Sequence, residues 1–184
     1  MKKIILGFAG EIACGKGTCV KYLAEKYGAV SFRFSDPLRD IAKRLYLDES
    51  RENLQNLSTT LRGSFGQDIL SKTVFRDAEN SKSKVVIIDG IRRKSDIEMF
   101  KDAPEFKLVY VDADMRMRFE RIIKRGENTD EKGKTFEEFQ KDHEQEAEKE
   151  IQSLKEIADF VIDNNGGEEE LIKNIDGVIN QIKS

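Results

Sequence analysis

The chain of 184 residues has little cysteine, one histidine and no long apolar run, and each shortage excludes a class of protein. Its two cysteines, Cys14 and Cys19, are too few for a disulfide framework or a metal site, so we expect free thiols in a reducing cytosol. The single histidine, His143, lies in a strongly charged helical pattern and is expected to be solvated rather than catalytic. No apolar run approaches the roughly 18 residues that a membrane span needs.

An excess of charge of one sign is also missing. The chain has 32 basic and 35 acidic residues, a formal net charge of −3. Such a balance does not indicate a broad surface for nucleic acid or for membranes. The length fits one domain, residues 1–184, with a sizeable core. We expect a cytoplasmic protein that is a monomer or a small homo-oligomer.

The stretch "GFAGEIACGKGTC" at residues 7–19 has two possible interpretations. Together with the preceding "MKKII" it imitates a lipoprotein leader, because two lysines, an apolar run and a small residue precede a cysteine. A leader needs roughly 7 to 15 uninterrupted apolar residues, whereas Glu11 interrupts this run after residues 4–10. We therefore expect a loop that binds phosphate instead.

The pattern G-x-x-x-x-G-K at residues 10–16 lies between a strand pattern and a helical pattern. At such a junction the free backbone N–H groups and the helix dipole attract an anion, and glycine lets the backbone approach phosphates closely. The hydroxyl that usually follows the lysine comes one place later, which weakens the case for a direct side-chain ligand to Mg²⁺. The pattern predicts that five residues hold donor phosphates: Gly10, Gly15, Lys16, Gly17 and Thr18.

Strand and helix patterns alternate along the rest of the chain. The strand patterns are "IILGF", "VSFRF", "KVVIIDG", "FKLVYVDA" and "ADFVIDNNGG". This alternation predicts a mainly parallel five-stranded sheet with helices on both faces and ligands at the carboxyl edge of the strands. Residues 48–80 are predicted as a helical insert broken near Gly63 and Gly66. Residues 126–157 are predicted as a polar lid and a long helix that Thr135 and Glu138 begin with a capping box.

Polar residues follow the third predicted strand at this edge. Asp89 comes directly after four β-branched residues, where an acid reaches Mg²⁺ or its waters, although it could instead cap the next element. Gly90 stands where an ATPase motor often has a second acid, so the sequence disfavours ATP hydrolysis as the function of the protein. Arg92 and Arg93 follow at the same edge, and one of them could clamp a phosphate bidentately.

Charged residues also follow the second predicted strand, in the segment "FSDPLRD". Pro37 suits a first helical turn, so Ser35 or Asp36 could be an N-cap. Capping and catalysis both remain open for Asp36. Arg39 is predicted to contact a phosphate at the mouth of the cleft.

Three arginines lie on the predicted helix after the fourth strand. Arg118, Arg121 and Arg125 are spaced at i, i+3 and i+7, so they share one face of that helix. The face carries no acid, and a polar segment follows it. The pattern therefore predicts an anion clamp beside a lid.

Together these segments resemble P-loop nucleoside monophosphate kinases and their dephospho-coenzyme A kinase relatives, over essentially the whole chain. "GEIACGKGT" is similar to the adenylate-kinase form of the loop, which also has glycine after the lysine. "SDPLRD" is similar to the acceptor-phosphate segment, and "DGIRR" to the D-G-x-P-R segment without its proline. "RFERIIKRGE" resembles the arginine-bearing helix before the lid. "ADFVIDNNGGEEEL" resembles the dephospho-coenzyme A kinase end, and "LSTTLRGSFGQDIL" resembles acceptor-binding segments of small-molecule kinases.

The resemblance implies a P-loop NTPase three-layer sandwich and a kinase that uses ATP and Mg²⁺. The implied acceptor is a small molecule, a nucleoside or deoxynucleoside monophosphate. Catalytic roles are implied for Lys16, Asp89, Asp36, Arg121 and Arg125. Thr18 and Asp89 would serve the metal through water. Acceptor contacts are implied for Asp36, Arg39, Arg62 and Arg92, and the donor base would border Asn164, Asn165 and Gly166.

Two alternatives remain open at the level of sequence. The acceptor could be a hydroxyl, as in dephospho-coenzyme A, and Asp36 would then be the general base. The chain could also be a nucleotide-dependent switch without an acceptor. A guanine switch would usually carry an N-K-x-D string, and "KNID" at residues 173–176 has the wrong order.

Overall fold

The apolar strand patterns form a parallel sheet centred on the first strand. A computed structural model of the protein describes residues 2–125, 135–143 and 146–183. Its strands are β1 (Ile4–Ala9), β2 (Val30–Arg33), β3 (Val85–Asp89), β4 (Phe106–Asp112) and β5 (Phe160–Asp163). All neighbouring pairs are parallel, in the order β2-β3-β1-β4-β5. The predicted parallel five-stranded sheet is therefore confirmed.

Helices follow each strand, as the alternation predicted. They are α1 (Lys16–Tyr27), α2 (Asp36–Arg44), α3 (Arg51–Phe65), α4 (Ile69–Asn80), α5 (Lys94–Ile97), α6 (Met115–Arg125), α7 (Phe136–His143), α8 (Glu146–Ser153) and α9 (Glu168–Lys183). A 3₁₀ turn at Lys155–Ile157 precedes β5. No helix within the described ranges is both long enough and apolar enough to cross a bilayer.

Two hydrophobic cores lie on opposite faces of the sheet because successive strand side chains point in opposite directions. On β1, Ile4, Leu6 and Phe8 belong to the core that includes α1 and α9. Ile5 and Ala9 belong to the core that includes α4 and α8. The fold is thus three layers, helices, sheet and helices, and it places the end of β1 at the centre of the carboxyl edge.

The insert and the segment after β3 differ in detail from the sequence pattern. The insert breaks at Gly66, which caps α3 with a φ of 103°, whereas Gly63 lies inside the helix. The sequence pattern predicts a helix from about Ser95 to Lys101, whereas helix α5 spans only Lys94–Ile97. Beyond Ile97 the chain turns, and the buried ring of Phe100 packs against Phe106 with centroids 5.0 Å apart. Core packing therefore ends this helix earlier than the spacing suggested.

The capping box is confirmed at the start of α7. The Thr135 backbone N–H donates to Glu138 Oε2 at 2.8 Å, and the Glu138 N–H donates to Thr135 Oγ1 at 3.2 Å. The predicted lid, residues 126–134, lies outside the described residues. The side chains of Arg125 and His143 are also outside the described part of the chain.

A buried ion pair ties the loop after β1 to the helices on its carboxyl side. Arg118 Nη2 donates to Glu11 Oε1 at 3.0 Å, and the two residues are 2% and 7% exposed. Arg118 Nε donates to the carbonyl oxygen of Ala113, and Gln152 Nε2 donates to the same Glu11 oxygen. The expectation that Arg118 belongs to an anion clamp is therefore corrected, because the paired acid comes from a distant part of the sequence.

We expect Arg118→Met to destabilise the fold by about 3–5 kcal/mol, since it removes the guanidinium that pairs with the buried Glu11 carboxylate. Chemical denaturation followed by circular dichroism measures the change. Arg116→Met is the matched control, because Arg116 is exposed on the same helix and pairs with Glu120 at 3.8 Å. Equal free energies of unfolding for the two variants would contradict a structural role for the pair.

We expect Cys19 to resist alkylation in the folded protein. Its side chain is fully buried, and burial, reinforced by Cys14, raises the pKa of the Cys19 thiol to about 12. The reactive thiolate is then scarce at pH 8. Iodoacetamide labelling followed by mass spectrometry should modify Cys19 at a useful rate only after unfolding in urea. Labelling of the folded chain at the unfolded rate would show that the thiol is accessible.

Candidate active site

The loop between β1 and α1 is built on two glycines with left-handed backbone. Gly10 has a φ of 141° and Gly15 a φ of 110°. A Cβ on Gly10 would lie 2.4 Å from the carbonyl oxygen of Val111, and one on Gly15 would lie 2.2 Å from Asn164 Nδ2. Both conformation and space therefore require glycine, and the loop is held tightly between β4 and the turn after β5.

Lys16, the first residue of α1, folds its ammonium back over this loop. Its Nζ donates to the carbonyl oxygens of Gly10 at 2.6 Å and Glu11 at 3.0 Å, and lies 3.4 Å from Cys14 Sγ. These partners carry no net charge, so the positive charge stays available to an anion at the loop.

A first cavity of about 1060 Å³, here termed the loop cavity, opens above the loop. Backbone and side chains of residues 12–18 line it together with the ends of β3 and β5 and the first turn of α9. Four cationic side chains and two acids reach its wall: Lys16, Arg51, Arg92, Arg121, Asp89 and Glu168. Cations outnumber acids here, and the helix N-terminus adds to their field, so the cavity suits a polyanion.

A second cavity of about 820 Å³, the insert cavity, lies between α3 and the carboxyl ends of β2 and β3. Its wall carries four arginines, Arg33, Arg62, Arg92 and Arg93. Helix α3 adds neutral hydrogen-bonding side chains, Gln55, Ser58 and Thr59. This composition suits a small polar ligand with an anionic group.

Asp89, Gly90 and Arg92 line both cavities, so the two spaces meet at the end of β3. The buried carboxylate of Asp96 fixes this turn, since its Oδ2 accepts from the backbone N–H groups of Arg92 at 3.0 Å and Arg93 at 3.1 Å. Sequence reasoning missed Asp96. Its signal was an acid in the first turn of the helix that follows, which is a common N-terminal pattern.

Asn164 and Arg121 join the loop to the turn after β5. The buried Asn164 side chain donates from Nδ2 to the carbonyl oxygen of Cys14 at 2.7 Å. Arg121 Nη2 donates to the backbone oxygen of Asn164 at 2.8 Å. Arg121 Nη1 is buried and has no hydrogen-bond partner among the residues that the structure describes. A buried guanidinium nitrogen without a partner is costly, and its residue lines the loop cavity, so the arrangement fits an anion there.

Four of the predicted site residues do not line either cavity: Asp36, Arg39, Asn165 and Gly166. Asp36 accepts from the Arg33 backbone N–H at 2.7 Å and from Arg33 Nε at 3.1 Å. Arg39 forms an ion pair with Glu49 at 2.5 Å. Asn165 Oδ1 accepts from the Asp114 N–H at 2.7 Å. The side chains of Asp36, Arg39 and Asn165 thus hold local turns and connections in place.

Ser35 occupies the N-cap position of α2 but makes no capping hydrogen bond through its side chain. Neither of the two residues proposed as the cap therefore caps this helix, because the Asp36 carboxylate turns back to Arg33.

Two charged residues of the loop cavity were missed by sequence reasoning. Arg51 begins α3, and Glu168 begins α9. Each stands at a helix start that the tertiary fold brings to the carboxyl edge. The sequence offered no signal for Arg51 beyond its place after a capping serine, Ser50.

The cavity also suits a divalent cation carried by phosphates. Thr18 and Asp89 line it, whereas no group of three metal-ligating side chains occurs among the residues that the structure describes. Magnesium bound with nucleotides typically keeps few protein ligands and takes the rest from phosphates and water. The two oxygen-bearing side chains fit that pattern.

Comparison with known proteins gives three kinds of relatives. The sequence profile described as AAA domain matches residues 9–140. A UPF0200 protein of Thermococcus kodakarensis is 30% identical, covering 98% of this chain and 97% of its own. A UPF0200/UPF0201 protein of Archaeoglobus fulgidus is 28% identical over 93% of this chain, which spans only 53% of that longer relative.

Solved structures share the fold at low sequence identity. Shikimate kinase from Bacteroides thetaiotaomicron is 15% identical, covers 98% of this chain and 99% of its own, and gives a TM-score of 0.65. Dephospho-CoA kinase from Campylobacter jejuni is 16% identical over 98% and 97% of the two chains, with a TM-score of 0.51. The predicted resemblance to P-loop kinases is confirmed at the level of fold. The chain belongs to the AAA domain family and to the UPF0200 proteins.

Proposed function

We propose that the protein is a kinase that transfers the γ-phosphoryl group of ATP to a small acceptor bearing a phosphate, of the nucleoside monophosphate class. The observation that carries this proposal is the junction of the two cavities at Asp89, Gly90 and Arg92. One cavity has the loop and cations that suit a triphosphate, and the other has arginines that suit an anionic acceptor. A group passing between them would cross the junction.

On the donor side, the loop backbone and Lys16 would hold the β- and γ-phosphates. Lys16 would exchange its carbonyl partners for phosphate oxygens, which are stronger acceptors because they carry charge. Arg121 would offer the same group its Nη1, which is buried and has no partner within the described part of the chain. Thr18 and Asp89 would hold Mg²⁺ through water, and the ion supplies charge neutralisation of the phosphates when it is bound.

Phosphoryl transfer gives the protein little covalent chemistry to perform, so positioning and electrostatic stabilisation account for most of the rate. Arg92 reaches both cavities and would stabilise charge on the equatorial oxygens as the group moves. Its turn is held by the buried Asp96, so the guanidinium starts from a fixed backbone. For Arg125, membership of the anion clamp is proposed from the sequence alone.

The acceptor side favours a phosphate over a hydroxyl. A phosphate oxygen is already anionic at neutral pH and needs cations rather than a base, and arginine binds phosphates bidentately. The insert cavity provides Arg33, Arg62 and Arg92. A hydroxyl acceptor would need a base, and the Asp36 carboxylate is turned toward Arg33 instead. The alternative stays worth testing because the structural relatives named above include shikimate kinase and dephospho-CoA kinase.

The proposal is tested by measuring ADP release with ATP, Mg²⁺ and a panel of acceptors. The panel contains ribo- and deoxynucleoside monophosphates, dephospho-coenzyme A and shikimate. Stimulation by one or more monophosphates is the expected result. Stimulation by only a hydroxyl acceptor would replace the acceptor class, and equal slow hydrolysis with every candidate would favour a nucleotide-dependent switch.

We expect Lys16→Met to lower kcat by about 10² or more, the size of effect seen when one charge partner of a transition state is removed. Methionine keeps the length of the side chain without its charge. Lys21→Met is the control, because Lys21 is exposed on the same helix and pairs weakly with Glu25 at 3.9 Å. Near-normal turnover of a folded Lys16→Met protein would remove the phosphate-loop assignment.

Asp36→Asn and Arg62→Ala separate the two acceptor classes. Asparagine can still accept the hydrogen bond from the Arg33 N–H, so we expect kcat within about tenfold of the original, whereas loss of a general base would lower kcat by roughly 10²–10⁴.

Arg62→Ala should mainly raise the KM of the acceptor, because it removes a cation from the insert cavity.

Steady-state kinetics with ATP held at saturation measures both effects. Arg76→Ala is the control for the second variant, since Arg76 is exposed on α4 and pairs with Glu79. Abolished turnover in a folded Asp36→Asn protein that still binds ATP would decide for the hydroxyl acceptor.

A further inference from the structure

One face of α3 runs along both cavities. Arg51, Gln55, Ser58 and Arg62 recur at intervals of four, three and four residues, which places them on the same side of a helix. Gln55, Ser58 and Arg62 line the insert cavity, whereas Arg51 lines the loop cavity. The eleven residue-to-residue steps from Arg51 to Arg62 span about 16 Å along the helix axis. A single rigid helix therefore contacts the spaces assigned to both substrates.

The start of α3, where Arg51 lies, is anchored by its neighbours. Ser50 Oγ accepts from the Asn53 backbone N–H at 3.2 Å, and Asn53 Nδ2 donates to the carbonyl oxygen of Asp48 at 2.9 Å. Glu49 forms ion pairs with two residues of α2, Arg39 at 2.5 Å and Lys43 at 3.6 Å. The hydrogen bond from Arg39 lowers the pKa of Glu49, so this carboxylate stays charged at neutral pH. The backbone that presents Arg51 is thus tied to α2.

The Arg51 side chain itself is exposed and has no hydrogen bond or ion pair with any residue that the structure describes. It therefore differs from Arg62, which donates to Ser58 and Gln67, and from Arg93, which pairs with Glu150. A cation at a cavity wall without a protein partner is free to bind a ligand anion.

The position of Arg51 selects which phosphate it would contact. The residue belongs to the insert, and the junction residues Asp89 and Arg92 mark the side of the loop cavity that faces the insert. A triphosphate laid from the base side, near Glu168 and Leu171, toward that junction would end with its γ-phosphate nearest the insert. The α- and β-phosphates would lie over the loop, nearer Lys16.

We propose that Arg51 is a donor-contacting residue that binds the γ-phosphate, so that the acceptor insert distinguishes ATP from ADP. This inference rests on the proposed function, since it takes ATP as the donor. It makes the insert responsive to the donor as well as to the acceptor. Arg39 and Glu49 are then positioning residues, because they hold the start of α3 without lining either cavity.

The test compares the binding of ATP and ADP, with Mg²⁺ and without acceptor, by isothermal titration calorimetry. The measured quantity is the ratio of the two dissociation constants, Kd for ADP over Kd for ATP. Arg51→Ala should lower this ratio about tenfold, the effect of losing one hydrogen bond between charged groups. Arg51→Lys should keep part of the preference, because it retains the charge and loses the bidentate geometry.

Arg44→Ala is the matched control. Arg44 ends α2, is exposed and lines neither cavity, so its ratio should equal that of the original protein. An unchanged ratio in Arg51→Ala would overturn the inference. So would an Arg51→Ala protein in which only the KM of the acceptor rises.

The binding ratio needs no acceptor, so failure of this inference can be told from failure of the proposed function. If the original protein transfers phosphate and Arg51→Ala leaves the ratio of the two dissociation constants unchanged, only the role of Arg51 is refuted. If Arg51→Ala lowers the preference for ATP but the original protein phosphorylates no acceptor, the role of Arg51 is supported and the proposed kinase activity is refuted. Absence of binding to either nucleotide refutes both.

Discussion

The buried pair between Glu11 and Arg118 is the constraint on which the candidate site depends. A carboxylate inside the loop after β1 is expensive to bury unless it is paired and hydrogen-bonded. Arg118 and Gln152 satisfy it from two helices that are more than a hundred residues away in sequence. The loop is consequently fixed from its outer side by α6 and α8, which leaves its inner side, with its backbone and Lys16, facing the loop cavity.

A second tie comes from the turn after β5. Asn164 holds the carbonyl oxygen of Cys14 and receives a hydrogen bond from Arg121 on its own backbone oxygen. The loop is therefore held at two points before any ligand binds, by α6 and α8 and by the turn after β5. Such preorganisation matters for a charged ligand, because donors already in place cost no reorganisation when charge develops. The position of the Asn164 side chain also explains why Gly15 has no space for a side chain.

The fold and the loop could be predicted because they depend on local patterns. Apolar runs such as residues 85–88 can only be buried on both faces of a sheet, and helical spacing between them leaves a parallel sheet as the consistent solution. The glycines at positions 10 and 15 and the lysine at position 16 lie close together in sequence, so the loop that they form could be predicted from it. The capping box at Thr135 is similarly local and was correct.

The sequence by itself thus determined the three-layer architecture and the glycine-rich loop after β1, while the tertiary structure decided which charges face the cavities. Arg118 and Arg121 lie three residues apart on one helix, yet the first is buried against Glu11 and the second lines the loop cavity. Arg39 pairs with Glu49, whereas Arg51 lines the loop cavity and has no ion pair with any described residue. Helical spacing predicts on which face of a helix a side chain lies, but not which residue it contacts there. A charged side chain contacts its partner only when distant segments of the chain pack together, and its role depends on that partner.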